Sequence, residues 1–181
     1  MVDVDKSLTN ALLKLCNEKP LIRISVSELV KEAKIGRATF YLYYQNLDAL
    51  IKQIESDIID QYQDISSAYT YNNETDKALW YKSAIKPLFS MTKEKVLWIN
   101  LLCGPGGDPS FAYKVKQFIL TDNQKKHAQA RINCDQTIFE YNVAATEGMF
   151  FHWLQTNARL DVNSFTDQIF LPIQNWLNRQ N

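Results

Sequence analysis

The segment of residues 25–50 constrains the fold of this 181-residue chain more than any other stretch. Ser25 and Glu28 stand three residues apart ahead of an apolar run, which is the pattern of a capping box at the start of a helix. Gly36 tolerates the non-helical backbone of a turn or an N-cap. Residues 37–44 then supply about two turns of a second helix. The segment therefore predicts two short helices joined by a tight turn.

A further helix is predicted ahead of this pair. Residues 3–17 carry apolar side chains at helical spacing, and the helix ends before Pro20 because the residue preceding a proline avoids helical geometry. Two short helices joined by a turn of three or four residues form a helix-turn-helix, and its second helix lies in the major groove when such a unit binds DNA. We therefore predict a three-helix unit that ends near residue 46.

The same segment resembles the signature of the TetR family of transcriptional regulators. Nine residues agree in register with that fixed-length pattern: Ala33, Ile35, Ala38, Thr39, Phe40, Tyr41, Tyr44, Asp48 and Leu50. The sequence departs from the pattern at three positions, where Lys34 replaces the usual Gly, Gly36 replaces the usual Ser or Thr cap, and Leu47 replaces the usual Lys. The resemblance covers roughly the first third of the chain and implies a DNA-binding regulator.

The rest of the chain also reads as helical. The sequence is 46% hydrophobic and contains only five Gly and five Pro, which favours a packed core of long helices with few breaks. Asn46 is predicted to cap a long helix over residues 47–70 that connects the small unit to the remainder. We predict an all-α fold of about nine helices, with residues 1–46 as a helix-turn-helix DNA-binding domain and residues 47–181 as an effector-binding and dimerisation domain.

Charge and cysteine usage narrow the class of protein. Twenty basic residues balance twenty acidic ones, so affinity for DNA would have to come from the local placement of donors and from two copies acting together. Three widely separated cysteines favour a reducing cytoplasm without disulfides. Asp3 and Asp5 precede any apolar run, which argues against a signal peptide, and the longest apolar stretch is too short to cross a membrane. We therefore expect a cytoplasmic protein with no membrane partner.

The candidate DNA contacts lie on and beside the second helix of the pair. Arg37 is predicted to read guanine, because a guanidinium donates two hydrogen bonds to its O6 and N7 atoms. Ala38 or Leu42 would contact a thymine methyl group, and the hydroxyls of the neighbouring Thr and Tyr residues would contact phosphates without reading sequence. Lys34, Lys31 and Lys52 are the candidates to compensate for the lysine missing at position 47. The full predicted set is Ser25, Ser27, Lys34, Arg37, Ala38, Thr39, Tyr41, Leu42 and Tyr43.

The family resemblance also implies an effector pocket and a homodimer formed by the last two helices. Aromatic residues of the larger domain are the candidates for an apolar pocket: Trp80, Phe89, Trp98, Phe118, Tyr141 and Phe150. Broad apolar faces on the last two helices are the candidates for the dimer interface: Phe139, Val143, Phe150, Trp153, Phe165, Ile169, Ile173 and Trp176. No metal, cofactor or catalytic motif is predicted, because no His, Cys or acidic cluster has ligand spacing and no triad motif occurs.

The sequence therefore predicts a transcriptional regulator that binds a double-stranded DNA operator as a homodimer. The preferred interpretation is a repressor released by an unknown small-molecule effector, and an activator remains open. One alternative is a co-regulator whose reading head has degenerated, as Leu47 allows, and which acts through protein–protein contacts. A second alternative is a helical protein that binds apolar ligands, and an enzyme is not expected.

Overall fold

A computed structural model describes residues 3–71, 76–104, 107–129 and 136–177, and these residues form nine α-helices, one short 3₁₀ helix and no strand. The predicted all-α class is confirmed for this part of the chain. The helices are α1 (Val4–Cys16), α2 (Val26–Ala33), α3 (Arg37–Tyr43), α4 (Leu47–Ser67), α5 (Lys77–Glu94), α6 (Val96–Cys103), α7 (Pro109–Gln129), α8 (Gln136–Gln155) and α9 (Val162–Leu177), with the 3₁₀ helix at Leu21–Arg23.

The predicted helix starts are present with their capping bonds. The Ser25 hydroxyl accepts a bond from the Glu28 backbone N–H at 3.3 Å, and the Ser25 backbone N–H donates to the Glu28 carboxylate at 3.0 Å, which completes the capping box of α2. The Asn46 side chain accepts a bond from the Ala49 N–H at 2.8 Å and caps α4. These bonds satisfy backbone donors that the first helical turn leaves unpaired.

The residue with a positive φ in the turn between α2 and α3 is Lys34 and not Gly36. Lys34, which stands where the resembled pattern has glycine, takes up the left-handed conformation with φ 56° and ψ 39°. Gly36 is the N-cap of α3 in an extended conformation with φ −72°, so it makes no use of the freedom of glycine at positive φ. The strained residue of the helix-turn-helix is therefore a lysine.

The first three helices enclose a small core. Leu8, Leu12, Leu29 and Phe40 are each 0% exposed, so α1, α2 and α3 all contribute to its centre. Tyr44 is half-buried, and its hydroxyl donates to the Asp5 carboxylate at 2.9 Å, which ties the end of α3 to α1. The unit thus holds α3 by both apolar packing and a hydrogen bond.

Helix α4 joins this unit to the larger set of helices. It packs against α5 and α7, while α5 packs along α9, and α8 contacts α6, α7 and α9. The buried side chains form one continuous cluster from α1 through α4 into α9. The division at residue 46 therefore remains a prediction, and the connector helix ends at Ser67 rather than at residue 70.

None of the helices in the described ranges combines the length and the apolar character that crossing a bilayer requires.

We predict that Lys34→Gly stabilises the protein. A side chain at this left-handed position adds strain that glycine avoids, partly offset by the larger entropy that glycine has in the unfolded chain. The free energy of unfolding should rise by roughly 0.5–1 kcal/mol in urea denaturation. Lys31→Gly, in the regular part of α2, is the matched control and should lower the same free energy by about 1 kcal/mol. Equal destabilisation by both variants would show that the conformation at Lys34 carries no strain.

Candidate nucleic-acid interface

The outer face of α3 consists of exposed side chains. Leu42 is 83% exposed, Tyr43 is 55% exposed and Tyr41 is 48% exposed, which is unusual for large apolar residues. Arg37 and Ala38 are exposed on the same helix, one turn before Tyr41 and Leu42. These five residues are called the α3 face below.

Arg37 is held in place without an acidic partner. Its guanidinium carbon lies 5.8 Å from the ring centroid of Tyr41, a distance typical of a cation–π contact. Tyr41 in turn meets Phe40 edge to face, with 5.4 Å between the ring centroids. Across the described ranges no carboxylate pairs with Arg37, so its donors remain available to another molecule.

Ion pairs explain how a chain of zero net charge can still present unpaired cations near α3. Lys14 pairs with Glu32, and Lys19 pairs with Glu28. The two acidic residues of α2, Glu28 and Glu32, are therefore paired with lysines that lie outside the α3 face. Several basic residues of the helix-turn-helix unit have no carboxylate partner within the part of the chain that the structure describes: Lys6, Arg23, Lys31, Lys34 and Arg37.

The remaining residues predicted to contact DNA differ in how exposed and how free to bond their side chains are. Ser27 and Lys34 are exposed, whereas Thr39 is half-buried. The Ser25 hydroxyl is occupied in the capping box, where it also donates to Glu28 at 2.7 Å, so contact with DNA would compete with the cap. Leu47, in place of the usual lysine, is half-buried and packs against the core. Position 47 therefore supports the fold and offers no charge to a phosphate.

A narrow cavity lies among α4, α5, α7, α8 and α9. Its volume is about 50 Å³, which accommodates a few water molecules and is much smaller than a typical ligand pocket. Phe89, Phe118 and Phe150 line it as the sequence predicted. Trp80 and Trp98 are buried elsewhere in the core, and Tyr141 is 71% exposed on the surface of α8. The aromatic pattern alone did not distinguish lining residues from other core residues.

Polar residues at this cavity bind α4 to its neighbours, and sequence reasoning missed them. The Tyr62 hydroxyl of α4 bonds to the Thr92 hydroxyl of α5, and Thr92 itself donates to the Leu88 carbonyl at 2.8 Å, which leaves Tyr62 as the donor. The Ser66 hydroxyl of α4 bonds to Asp122 of α7. Tyr62, Thr92 and Asp122 all line the cavity.

Lys126 completes the second of these links. It donates to the Ser66 hydroxyl at 2.6 Å and also pairs with Asp122, although its side chain is only 3% exposed. Burial lowers the pKa of the Lys126 ammonium, and the contact with Asp122 opposes that shift. The charges within this cluster therefore cancel.

Glu55 makes a third link from α4. Its side chain is 1% exposed, and one carboxylate oxygen lies 3.3 Å from the Lys114 ammonium of α7. The other oxygen has no hydrogen-bond partner among the described residues. Burial raises the pKa of Glu55, with Lys114 acting in the opposite direction. Helix α4 is thus fixed to α5 and α7 by three polar links.

Six of the eight residues predicted for the dimer interface are described by the structure and lie inside the protomer. Trp153 stacks on Phe165 with 4.2 Å between the ring centroids, which closes the contact between α8 and α9. The six predicted residues whose burial is described are all 3–6% exposed: Phe139, Val143, Phe150, Trp153, Phe165 and Ile169. The side chains of Ile173 and Trp176 fall outside the described part of the structure. These apolar faces pack within the chain and leave no surface for a partner at those positions.

A different stripe of α8 is exposed. Tyr141, Ala144, Ala145, Gly148 and His152 recur at the spacing of one helical face, and all five are exposed. A Cβ atom at Gly148 would meet no atom within 4 Å. This stripe is called the α8 outer face below, and its small residues permit another backbone to approach closely. The spacing could have been found in the sequence, but small residues carry a weaker signal than aromatic ones.

Within the described ranges, no group of three or more His, Cys, Asp or Glu side chains is arranged to hold a metal ion.

Curated relatives share sequence with part of the chain. The chain is 37% identical over 70 residues to the dhaKLM operon transcriptional activator DhaS of Lactococcus lactis, and 23% identical over 137 residues to an uncharacterised HTH-type transcriptional regulator of Haemophilus influenzae. The matches span 38% and 76% of this chain, and 37% and 66% of those relatives' own lengths. No protein-family model matches the chain.

Solved structures extend the similarity to the whole chain. A TetR-like transcriptional regulator from Rhodococcus sp. RHA1 superposes with a TM-score of 0.69 at 12% identity, covering 92% of this chain and 91% of that one. The chain has the fold of TetR-like transcriptional regulators. A TetR regulator from Streptococcus agalactiae covers 94% of the chain at TM-score 0.59 and 15% identity, with 93% of that structure matched. A structure of the dihydroxyacetone kinase operon activator DhaS superposes with a TM-score of 0.55 at 16% identity, covering 99% of this chain and 97% of that one.

Proposed function

We propose that this protein is a transcriptional regulator that binds a double-stranded DNA operator as a homodimer in the cytoplasm. The observation that carries the proposal is the α3 face, where an unpaired arginine and exposed apolar side chains project from a helix anchored by a buried Phe40. That combination suits the second helix of a helix-turn-helix in a major groove. The TetR-like fold and the names of the relatives support a regulator over an enzyme.

The regulator could act on transcription either as a repressor or as an activator. We retain a repressor released by an effector as the preferred interpretation, as the family resemblance implies. One relative is named as an activator, which keeps activation as the second candidate. Both candidates require the same operator contact, so the first experiment addresses DNA binding itself.

We predict that Arg37→Ala removes most preference for the operator. The substitution deletes the only arginine of the α3 face, and loss of a bidentate contact to guanine lowers operator affinity by roughly 5- to 150-fold. Fluorescence anisotropy across a salt series should measure binding to the operator, isolated from the promoter flanking the gene, and to a random duplex. Binding to the random duplex should fall only slightly, because it depends on phosphate contacts.

The matched control is Arg159→Ala, which removes the same charge from an exposed site between α8 and α9. It should leave both affinities nearly unchanged. Equal losses on the operator and the random duplex in Arg37→Ala would contradict base reading by Arg37. Wild-type protein that binds no duplex at any salt concentration would instead favour the co-regulator alternative, in which α3 contacts another protein.

We further propose that two copies associate through the α8 outer face, together with the exposed Leu171 and Pro172 of α9. Leu171 is 57% exposed on α9, and two copies of a face made of small residues can approach closely around a two-fold axis. The buried residues first predicted for this interface would then hold α8 and α9 together and shape the face from within.

We predict that Gly148→Arg yields a monomer. The protomer should tolerate the change, since nothing lies within 4 Å of the added Cβ and arginine favours a helix more than glycine does. Sedimentation velocity over a concentration series should show loss of the dimer, and operator affinity should fall roughly a hundredfold as the second half-site contact is lost. Gln124→Arg, at an exposed position of α7, is the control. A stable Gly148→Arg dimer would rule out this face.

Regulation by an effector is proposed to act through α4. A cavity of about 50 Å³ must widen to accept a ligand of ordinary size, and its walls include the Tyr62–Thr92 bond and the Asp122 side chain that holds Ser66. Ligand entry would therefore compete with the bonds that fix α4, the helix that follows α3. A ligand that favours one position of α4 shifts the population between DNA-binding and released states.

We predict that Thr92→Val alters operator affinity severalfold even though Thr92 lies on α5, outside the helix-turn-helix unit. The change leaves the buried Tyr62 hydroxyl without an acceptor, so the free energy of unfolding should also fall by roughly 1–3 kcal/mol. The double variant Tyr62→Phe/Thr92→Val should recover most of the stability. Ser90→Ala removes a local hydroxyl bond within α5 and serves as the control. Unchanged operator affinity in both Thr92→Val and the double variant would contradict coupling through this bond.

A further inference from the structure

The α3 face contains few groups that can read a base edge by hydrogen bonding. Arg37 is the only charged residue on it, and its guanidinium rests over the ring of Tyr41. Ala38 and Leu42 are exposed and have no polar side-chain atoms. Beside the contact made by Arg37, a helix that enters a major groove with this surface can add sequence discrimination through the apolar side chains of Ala38 and Leu42.

The major groove offers one strongly apolar group, the C5-methyl of thymine. Leu42 is 83% exposed, so a large apolar surface is hydrated in the free protein and would be released from water in a groove rich in methyl groups. Removal of water from apolar surface is favourable in proportion to the area buried. No polar group of the neighbouring bases gains anything from Leu42, which makes the contact selective for thymine.

The spacing of the two apolar residues fixes how far apart their contacts can be. Ala38 and Leu42 are separated by four residues, or about 6 Å along the helix axis at 1.5 Å per residue. Successive bases of one strand are about 3.4 Å apart along the duplex. Two contacts made by this pair therefore fall roughly two base steps apart, with Arg37 beside the first of them.

We propose that each operator half-site is read through thymine methyl groups, by Leu42 and by Ala38 at positions about two base steps apart, next to a guanine read by Arg37. This inference rests on the proposed function, because it specifies the chemistry of the DNA that the α3 face recognises. Leu42 supplies the larger share of the discrimination, since its exposed apolar area exceeds that of an alanine.

The experiment replaces thymine with deoxyuridine, which removes the C5-methyl and leaves base pairing intact. The operator is first enriched from a random duplex pool with the full-length protein. Each thymine of one half-site is then substituted singly, and affinities are measured for the wild type and for Leu42→Ala. One or more substitutions should weaken wild-type binding about fourfold, the effect of one buried methyl-sized group. At the thymine read by Leu42 the penalty should nearly vanish in Leu42→Ala, because that methyl contact is already absent, whereas a penalty at the thymine read by Ala38 should remain.

Outcomes for this inference and for the proposed function can be separated. If a duplex is enriched but no deoxyuridine substitution weakens wild-type binding, or if every penalty is undiminished in Leu42→Ala, methyl reading by Leu42 is overturned while DNA binding stands. If no duplex is enriched, the proposed function fails as well. Leu42→Ala should keep the wild-type thermal melting temperature, because the side chain is exposed, and a matched melt confirms that the variant is folded.

Discussion

The packing of Phe40 beneath α3 is the contact on which the reading surface depends. Phe40 is 0% exposed and lies against a core supplied by α1 and α2. On a helix of seven residues, burial of this one side chain determines the direction of the others, so Arg37, Ala38 and Leu42 must project outward. The Tyr44–Asp5 bond fixes the far end of the same helix. The orientation of the candidate interface is thus a consequence of core packing.

The helix that follows is held by a different kind of interaction. Helix α4 buries Ile54 and Ile58, but its specific links to α5 and α7 are hydrogen bonds and ion pairs in partly or fully buried positions. Apolar packing tolerates small shifts, whereas a buried hydrogen bond is either made or lost at a substantial free-energy difference. Such bonds suit the proposed role of α4 as a connector between a DNA-binding and a released state.

Local signals made much of this fold predictable from the sequence. The capping box at Ser25, the N-cap at Asn46 and the helical class all depend on residues a few positions apart, and each is present in the structure. The left-handed conformation of Lys34 was not predicted, although the resembled pattern has glycine at this position, because a lysine side chain carries no signal for a positive φ. Helix ends such as Ser67 depend on tertiary packing and shifted by a few residues.

Contacts between distant parts of the chain were harder to predict. The broad apolar faces of α8 and α9 suggested a partner, yet they are satisfied within the protomer, where Trp153 meets Phe165. A sequence records that a face is apolar and does not record which surface covers it. The same limit applies to the cavity, because Thr92 and Asp122 become neighbours of α4 only after folding.

Zero net charge is compatible with DNA binding because charge acts locally. Lys14 and Lys19 are neutralised by carboxylates of α2, while Arg37 stands one turn from Tyr41 with no carboxylate beside it in the described structure. A screened electrostatic interaction decays within about 10 Å, so distant acidic residues of the larger domain scarcely affect the α3 face at physiological salt. A single face of this size makes few phosphate contacts. In the proposed homodimer, operator affinity would then depend on two such faces held at a fixed separation, which connects the proposed DNA recognition to the α8 outer face and to the position of α4.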